Sequence, residues 1–71
     1  MDANQELRQS IESALGTDRG LEFSSVLTVL HEAVEVECYI AAERIWRTLP
    51  TTLRSLIPNP GLVPHDSVRR M

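Results

Sequence analysis

The chain has 71 residues, of which 42% are hydrophobic and 24% are charged, which is typical of one small soluble domain. The single cysteine excludes an internal disulfide framework and argues against a cysteine-based zinc site, and no apolar stretch approaches the roughly 20 residues of a membrane span. The net charge of −3 is unevenly divided, because residues 1–43 hold nine of the ten acids and residues 44–71 hold five of the seven arginines.

The first predicted element is a helix from Asp2 to Leu15. Asp2 and Gln5 match a capping box at its start, and Gly16 stands where a left-handed C-terminal cap is expected. Residues 17–20 are predicted to form a turn. An apolar stripe at helical spacing runs along the helix and consists of Leu7, Ile11, Ala14 and Leu15.

A long second helix is predicted from about Leu21 or Ser24 to Thr48. Residues 34–38 alternate between apolar and acidic side chains with period two, so they could instead form a strand. Two observations favour the helix: no glycine, proline, asparagine or aspartate occurs between Leu21 and Leu49, and residues 40–47 are strongly helix-forming.

Pro50 ends or kinks the long helix, and a third helix is predicted over residues 51–57. Thr48 is a candidate cap for this helix, with Pro50 in its first turn. The prolines and glycine of residues 58–61 stop it. We therefore predict an all-α, hairpin-like domain over residues 1–57, followed by a Pro-containing extended tail over residues 58–71.

Two charged residues project into the apolar face of the predicted long helix. Glu37 and Arg44 are seven residues apart, so they would lie one above the other, and burying either one unpaired would be costly. An antiparallel twofold dimer would set Glu37 against Arg44 of the other chain, with Ile40 and Ala41 near the axis. We therefore expect a homodimer; the alternative is that both charges lie at a rim and reach water.

The opposite face of the predicted helix carries two aromatic rings, also seven residues apart. Aromatic side chains and arginines are enriched at binding hot spots. The pattern predicts a surface for a larger protein partner, formed by Tyr39, Trp46 and Arg47 on the helix and by Arg54 beyond Pro50. The alternative is that Trp46 packs beneath the Pro50 bend as core.

The sequence contains only weak patterns for a catalytic or metal-binding site. Helical bundles that bind two metal ions use a Glu-x-x-His motif that is absent here. Cys38 and His31 would lie about 10 Å apart along one helix, which is too far for a hydrogen bond. One ladder of residues four apart could suggest a metal site, namely His31, Glu35, Tyr39 and Glu43. Because the motif of such sites is absent, we nevertheless expect no catalysis, cofactor or metal site.

The leading functional prediction is a small non-catalytic regulator, adaptor or inhibitor that occludes or bridges a protein partner. One alternative is a nucleic-acid-associated regulator that uses the C-terminal arginines, and another is an acidic mimic that inhibits a nucleic-acid-binding protein. Nucleic acid is a less favoured partner because most of the predicted helical part is acidic. The sequence shows neither a signal peptide nor a membrane segment, so we expect a cytoplasmic location.

Overall fold

The computed structural model describes residues 3–62 of the chain, and this range is helical without a strand. The prediction of an all-α fold is confirmed. No helix within these residues is long and apolar enough to cross a membrane. The elements are α1 (Ala3–Leu15), α2 (Asp18–Glu22), α3 (Ser24–Glu35), α4 (Tyr39–Arg47), α5 (Thr51–Leu56) and a 3-10 turn (Pro60–Leu62).

The core lies where α1, α3, α4 and α5 meet. The apolar stripe predicted for α1 supplies three of its members, and Leu15 packs against their edge. Removal of these side chains from water is the main force that assembles the short helices. The buried apolar residues are Leu7, Ile11, Ala14, Leu27, Leu30, Ala33, Val34, Tyr39, Ala42, Leu49, Leu53 and Ile57.

Helix α1 ends in a tightened turn instead of a left-handed glycine. The N–H of Gly16 donates to the carbonyl of Ser13 at 3.1 Å, and the N–H of Thr17 donates to the carbonyl of Ala14 at 3.0 Å. No described glycine has a positive φ. The left-handed cap predicted at Gly16 is therefore wrong, because short bonds of the 3-10 type satisfy the last carbonyls. The predicted capping residue Asp2 lies outside the described residues.

The turn predicted over residues 17–20 is the start of α2. The hydroxyl of Thr17 accepts a hydrogen bond from the N–H of Gly20 at 2.9 Å and so caps this helix. Gly20 is buried against α1, where an added Cβ would lie 2.7 Å from the carbonyl carbon of Ala14. Glycine at this position therefore allows the backbones of α1 and α2 to approach closely.

The predicted long helix is broken after Glu35. Glu37 adopts a φ of 62°, its N–H donates to the carbonyl of Val34 at 2.9 Å, and the N–H of Cys38 donates to the carbonyl of Ala33 at 2.9 Å. These two bonds form the Schellman motif that ends a helix. The chain then folds α4 back against α3. Both the continuous helix and the alternative strand are wrong for these residues.

The C-terminal elements agree with the prediction in part. Helix α5 falls within the predicted third helix, but Thr48 does not cap it. Thr48 ends α4, where its hydroxyl donates to the carbonyl of Ile45 at 2.6 Å, and Pro50 is the residue that precedes α5. Pro60 is buried in a 3-10 turn that packs on α4, so residues 60–62 are not extended. The remainder of the predicted tail, residues 63–71, lies outside the described range.

Candidate functional site

An open apolar groove of about 410 Å³ lies between α3 and α4. The turn at residues 36–38 brings its two sides together, although they are almost 20 residues apart in the chain. Of the residues that line it, only Arg44 is charged. The lining residues are Ser25, Val26, Val29, Arg44, Ile45 and Thr48.

Large apolar side chains are exposed on the same pair of helices. Val29, Val36 and Ile40 are 51%, 74% and 71% exposed. Val36 follows Val29 by seven residues and therefore continues the groove side of α3, while Ile40 precedes Arg44 by four residues on one side of α4. We call this set the hairpin face: Val29, Val36, Ile40, Arg44 and Ile45.

The side chains of Arg44 and Glu37 make no hydrogen bond or ion pair with another residue in the described part of the chain. Both residues are exposed. The guanidinium of Arg44 therefore has its donors available for a carboxylate or carbonyl of another molecule. The ion pairs among residues 3–62 join Arg19 to Glu22 and Arg47 to Glu43, and the imidazole of His31 contacts the carboxylates of Glu12 and Glu35.

The residues predicted for self-association do not share one helix. Glu37 lies in the turn, whereas Ile40, Ala41 and Arg44 lie on α4. The stacking predicted for Glu37 and Arg44 along a continuous helix is therefore wrong. Ala41 is half-buried, but Glu37, Ile40 and Arg44 remain exposed around the hairpin face.

Tyr39, predicted as a partner contact, belongs to the core and is only 7% exposed. The side-chain amide of Asn4 donates to the hydroxyl of Tyr39 at 2.7 Å and to the carbonyl of Val34 at 2.7 Å. Asn4 is itself held by Arg8, whose Nε donates to the Asn4 side-chain oxygen at 2.9 Å. These bonds connect α1 to the junction between α3 and α4. Tyr39 therefore stabilises the fold and is not part of an exposed binding surface.

The other predicted partner contacts are engaged within the chain. Trp46 packs against the core and donates its indole N–H to the carbonyl of Ile57 at 2.9 Å. The guanidinium of Arg54 lies over the Trp46 ring, 5.9 Å from its centroid. Arg47 is exposed and pairs with Glu43 at 2.9 Å. The geometry thus favours the alternative in which Trp46 packs as core near the Pro50 bend.

The predicted ladder of possible metal ligands is interrupted. Helix α3 ends at Glu35, so Tyr39 and Glu43 continue on a different helix. His31 instead bridges α1 and α3 by contacting Glu12 at 3.0 Å. Within residues 3–62 no group of three or more histidine, cysteine, aspartate or glutamate residues could hold a metal ion.

Comparisons with known protein families, curated proteins and solved structures give no match to this chain. The candidate site is therefore identified by its geometry, which combines the groove, exposed apolar side chains and an arginine without a partner among the described residues. Val29 is a site residue that the sequence pattern does not indicate, because the turn that places it opposite Ile45 carries no glycine or asparagine.

Proposed function

We propose that this chain is a non-catalytic protein-interaction module that binds another protein through the hairpin face. The exposure of Val29 in the groove, and of Val36 and Ile40 where the chain passes from α3 to α4, supports this assignment most directly. Contiguous exposed apolar surface is typical of protein-binding sites. Its burial contributes about 25 cal/mol for each Å² of apolar area removed from water.

The shape of the groove supports a helical ligand. Two neighbouring helices with a groove between them accept a third helix, whose apolar side chains recur at three- and four-residue spacing. Val26, Val29 and Ile45 would contact that apolar stripe, and Arg44 at the edge would pair with an acidic side chain of the ligand. Such a charge at the rim selects the partner and fixes its register. Binding would act by occlusion or by bridging.

The alternative of a basic nucleic-acid surface receives less support from the described arginines. Arg47 is neutralised by Glu43, and Arg54 lies over the Trp46 ring. Arg44 lines the groove, where most of its neighbours are apolar. Two of these three arginines thus already have partners within the chain, which leaves less free basic surface for phosphate groups.

Site-specific photocrosslinking tests the proposed surface. The photoreactive residue p-benzoylphenylalanine is placed at Val29 in the groove or, as a matched control, at Leu21, which is 65% exposed on α2 and outside the groove lining. In an extract of cells that express the chain, irradiation should give discrete adducts from position 29 and none from position 21. The substitution Arg44→Glu in the photoreactive chain should remove them.

Two results would contradict the proposed function. Equal adducts from positions 29 and 21 would show that the contacts are unspecific. A lack of adducts from either position, in a chain whose helical circular dichroism matches that of the unmodified protein, would show that the hairpin face binds no protein.

A further inference from the structure

Building on the proposed function, we infer that the hairpin face binds a second copy of this chain, in a twofold dimer that pairs Arg44 of each copy with Glu37 of the other. Charge complementarity supports a second copy as the occupant. A twofold interface uses the same patch on both molecules, so that patch must contain both members of every contact.

The hairpin face and its turn meet this requirement. Arg44 provides an exposed cation and Glu37 an exposed anion, and neither has an ion-pair partner within residues 3–62. Glu37 directly follows the exposed Val36 in the turn. An exposed acid outside this patch, Glu6, lies on α1 beside Gln9 and Pro58 and is not part of the groove lining.

The positions of the two charges suit an antiparallel arrangement. Glu37 lies at the closed end of the hairpin, and Arg44 lies about halfway along α4. Two hairpins that run in opposite directions place the closed end of one beside the middle of α4 of the other, so both pairs form together. Val36 and Ile40 then lie between the two pairs, which gives the apolar centre and charged rim of a typical interface.

A second copy also accounts for more of the surface than a foreign helix does. A ligand with one acidic residue would occupy Arg44 but leave Glu37 without a role. In addition, a single core in a chain of this size supplies little stability, and association is a common source of more.

The solution mass of the full chain, measured by light scattering and sedimentation across a concentration series, tests the inference. The expected mass is twice the chain mass of 8.0 kDa. Arg44→Glu and Glu37→Arg should each raise the dissociation constant by at least about tenfold, because like charges then face each other. The double swap Glu37→Arg/Arg44→Glu should restore it to within about threefold of wild type. Glu6→Arg, on α1 and outside the groove lining, serves as the matched control and should leave the mass unchanged.

Each contrary result has a defined meaning. A wild-type monomer at about 1 mM, a dissociation constant unaffected by the single reversals, or a dimer lost through Glu6→Arg would overturn the inference. Circular dichroism checks that each variant folds, and Arg44→Gln replaces Arg44→Glu if the reversal does not. A monomer that still gives specific adducts from position 29 in extract would leave the proposed function standing with a foreign partner. Failure of both experiments would overturn both conclusions.

Discussion

The indole N–H of Trp46 donates to the carbonyl of Ile57 at 2.9 Å, and this bond joins the second half of α4 to the residue that ends α5. The last carbonyls of a helix have no partner within it, so the indole satisfies one that α5 leaves open. The Trp46 ring also packs against the core and carries the guanidinium of Arg54. Trp46 thus connects α4, the end of α5 and the core.

Substitution of Trp46 should therefore lower the stability of the fold. Trp46→Phe keeps an aromatic ring but loses the hydrogen bond, which should reduce the free energy of unfolding by about 1 kcal/mol. Trp46→Ala also loses packing and should cost about 2–3 kcal/mol, less than for a fully buried ring. Urea unfolding followed by circular dichroism measures both. An unchanged midpoint for Trp46→Ala would contradict this structural role.

Gly20 and Gly16 should respond in opposite ways to alanine. A Cβ at Gly20 would collide with the Ala14 carbonyl, which belongs to the backbone and cannot yield without moving α1. Gly20→Ala should destabilise the fold by about 1–3 kcal/mol. At Gly16 the added Cβ would lie 3.4 Å from the Ser13 carbonyl oxygen, which is ordinary contact, and φ is not positive. Gly16→Ala should be neutral or stabilising by up to about 1 kcal/mol. Thermal unfolding of both variants provides the comparison.

Glu37 occupies a backbone conformation that suits glycine. Its φ of 62° costs a residue with a Cβ about 1–2 kcal/mol. Glu37→Gly should therefore be more stable than Glu37→Ala by about 1 kcal/mol, and both variants lack the carboxylate, so the difference reports the backbone alone. Urea unfolding at low protein concentration, where association is minimal, measures it. Equal stability of the two variants would show that the turn is not held in this conformation.

Asn4 should contribute more than a typical polar residue of α1. Asn4→Ala removes the bonds to the Val34 carbonyl and the Tyr39 hydroxyl and should cost about 1–3 kcal/mol. Combined with Tyr39→Phe in a double-mutant cycle, it should show a coupling free energy of at least about 0.5 kcal/mol. Gln9→Ala, at an exposed position of the same helix, should stay within about 0.5 kcal/mol of wild type. Additive effects of Asn4→Ala and Tyr39→Phe would contradict a direct bond.

Periodicity predicted the parts of the fold that depend on local pattern. Spacing of three and four residues located α1, and it identified Leu7, Ile11 and Ala14 as apolar positions that the structure buries. Such spacing is visible in sequence because each helix must turn one face to the core.

The break between α3 and α4 could not be found in this way. Glutamate has no preference for the left-handed region, so Glu37 gives no local signal. The carbonyl of Val34 accepts both the N–H of Glu37 at 2.9 Å and the side-chain amide of Asn4 at 2.7 Å. The turn is therefore stabilised by a residue of α1 that lies 30 positions earlier in the chain. Tertiary contact overrides the helical propensity of the segment.

The candidate site was predictable only in part, for a related reason. Arg44 stood out as a charge in an apolar stripe, and it remains at the surface. Tyr39 and Trp46 were assigned to a partner surface because aromatic residues are enriched there, but each also has a polar group that can be satisfied internally. Those internal partners come from α1 and from the end of α5, which only the folded chain brings near.

The buried Pro60 has a consequence for synthesis of the chain. Pro60 packs on α4, and Gly61 lies so close to the side chain of Glu43 that an added Cβ would collide with its carboxylate. While the protein is being translated, α4 cannot reach its final packing until these residues have left the ribosome. A product released after Ile57 would leave that side of α4 open to water, so the described fold is completed only after residues 60–62 have emerged.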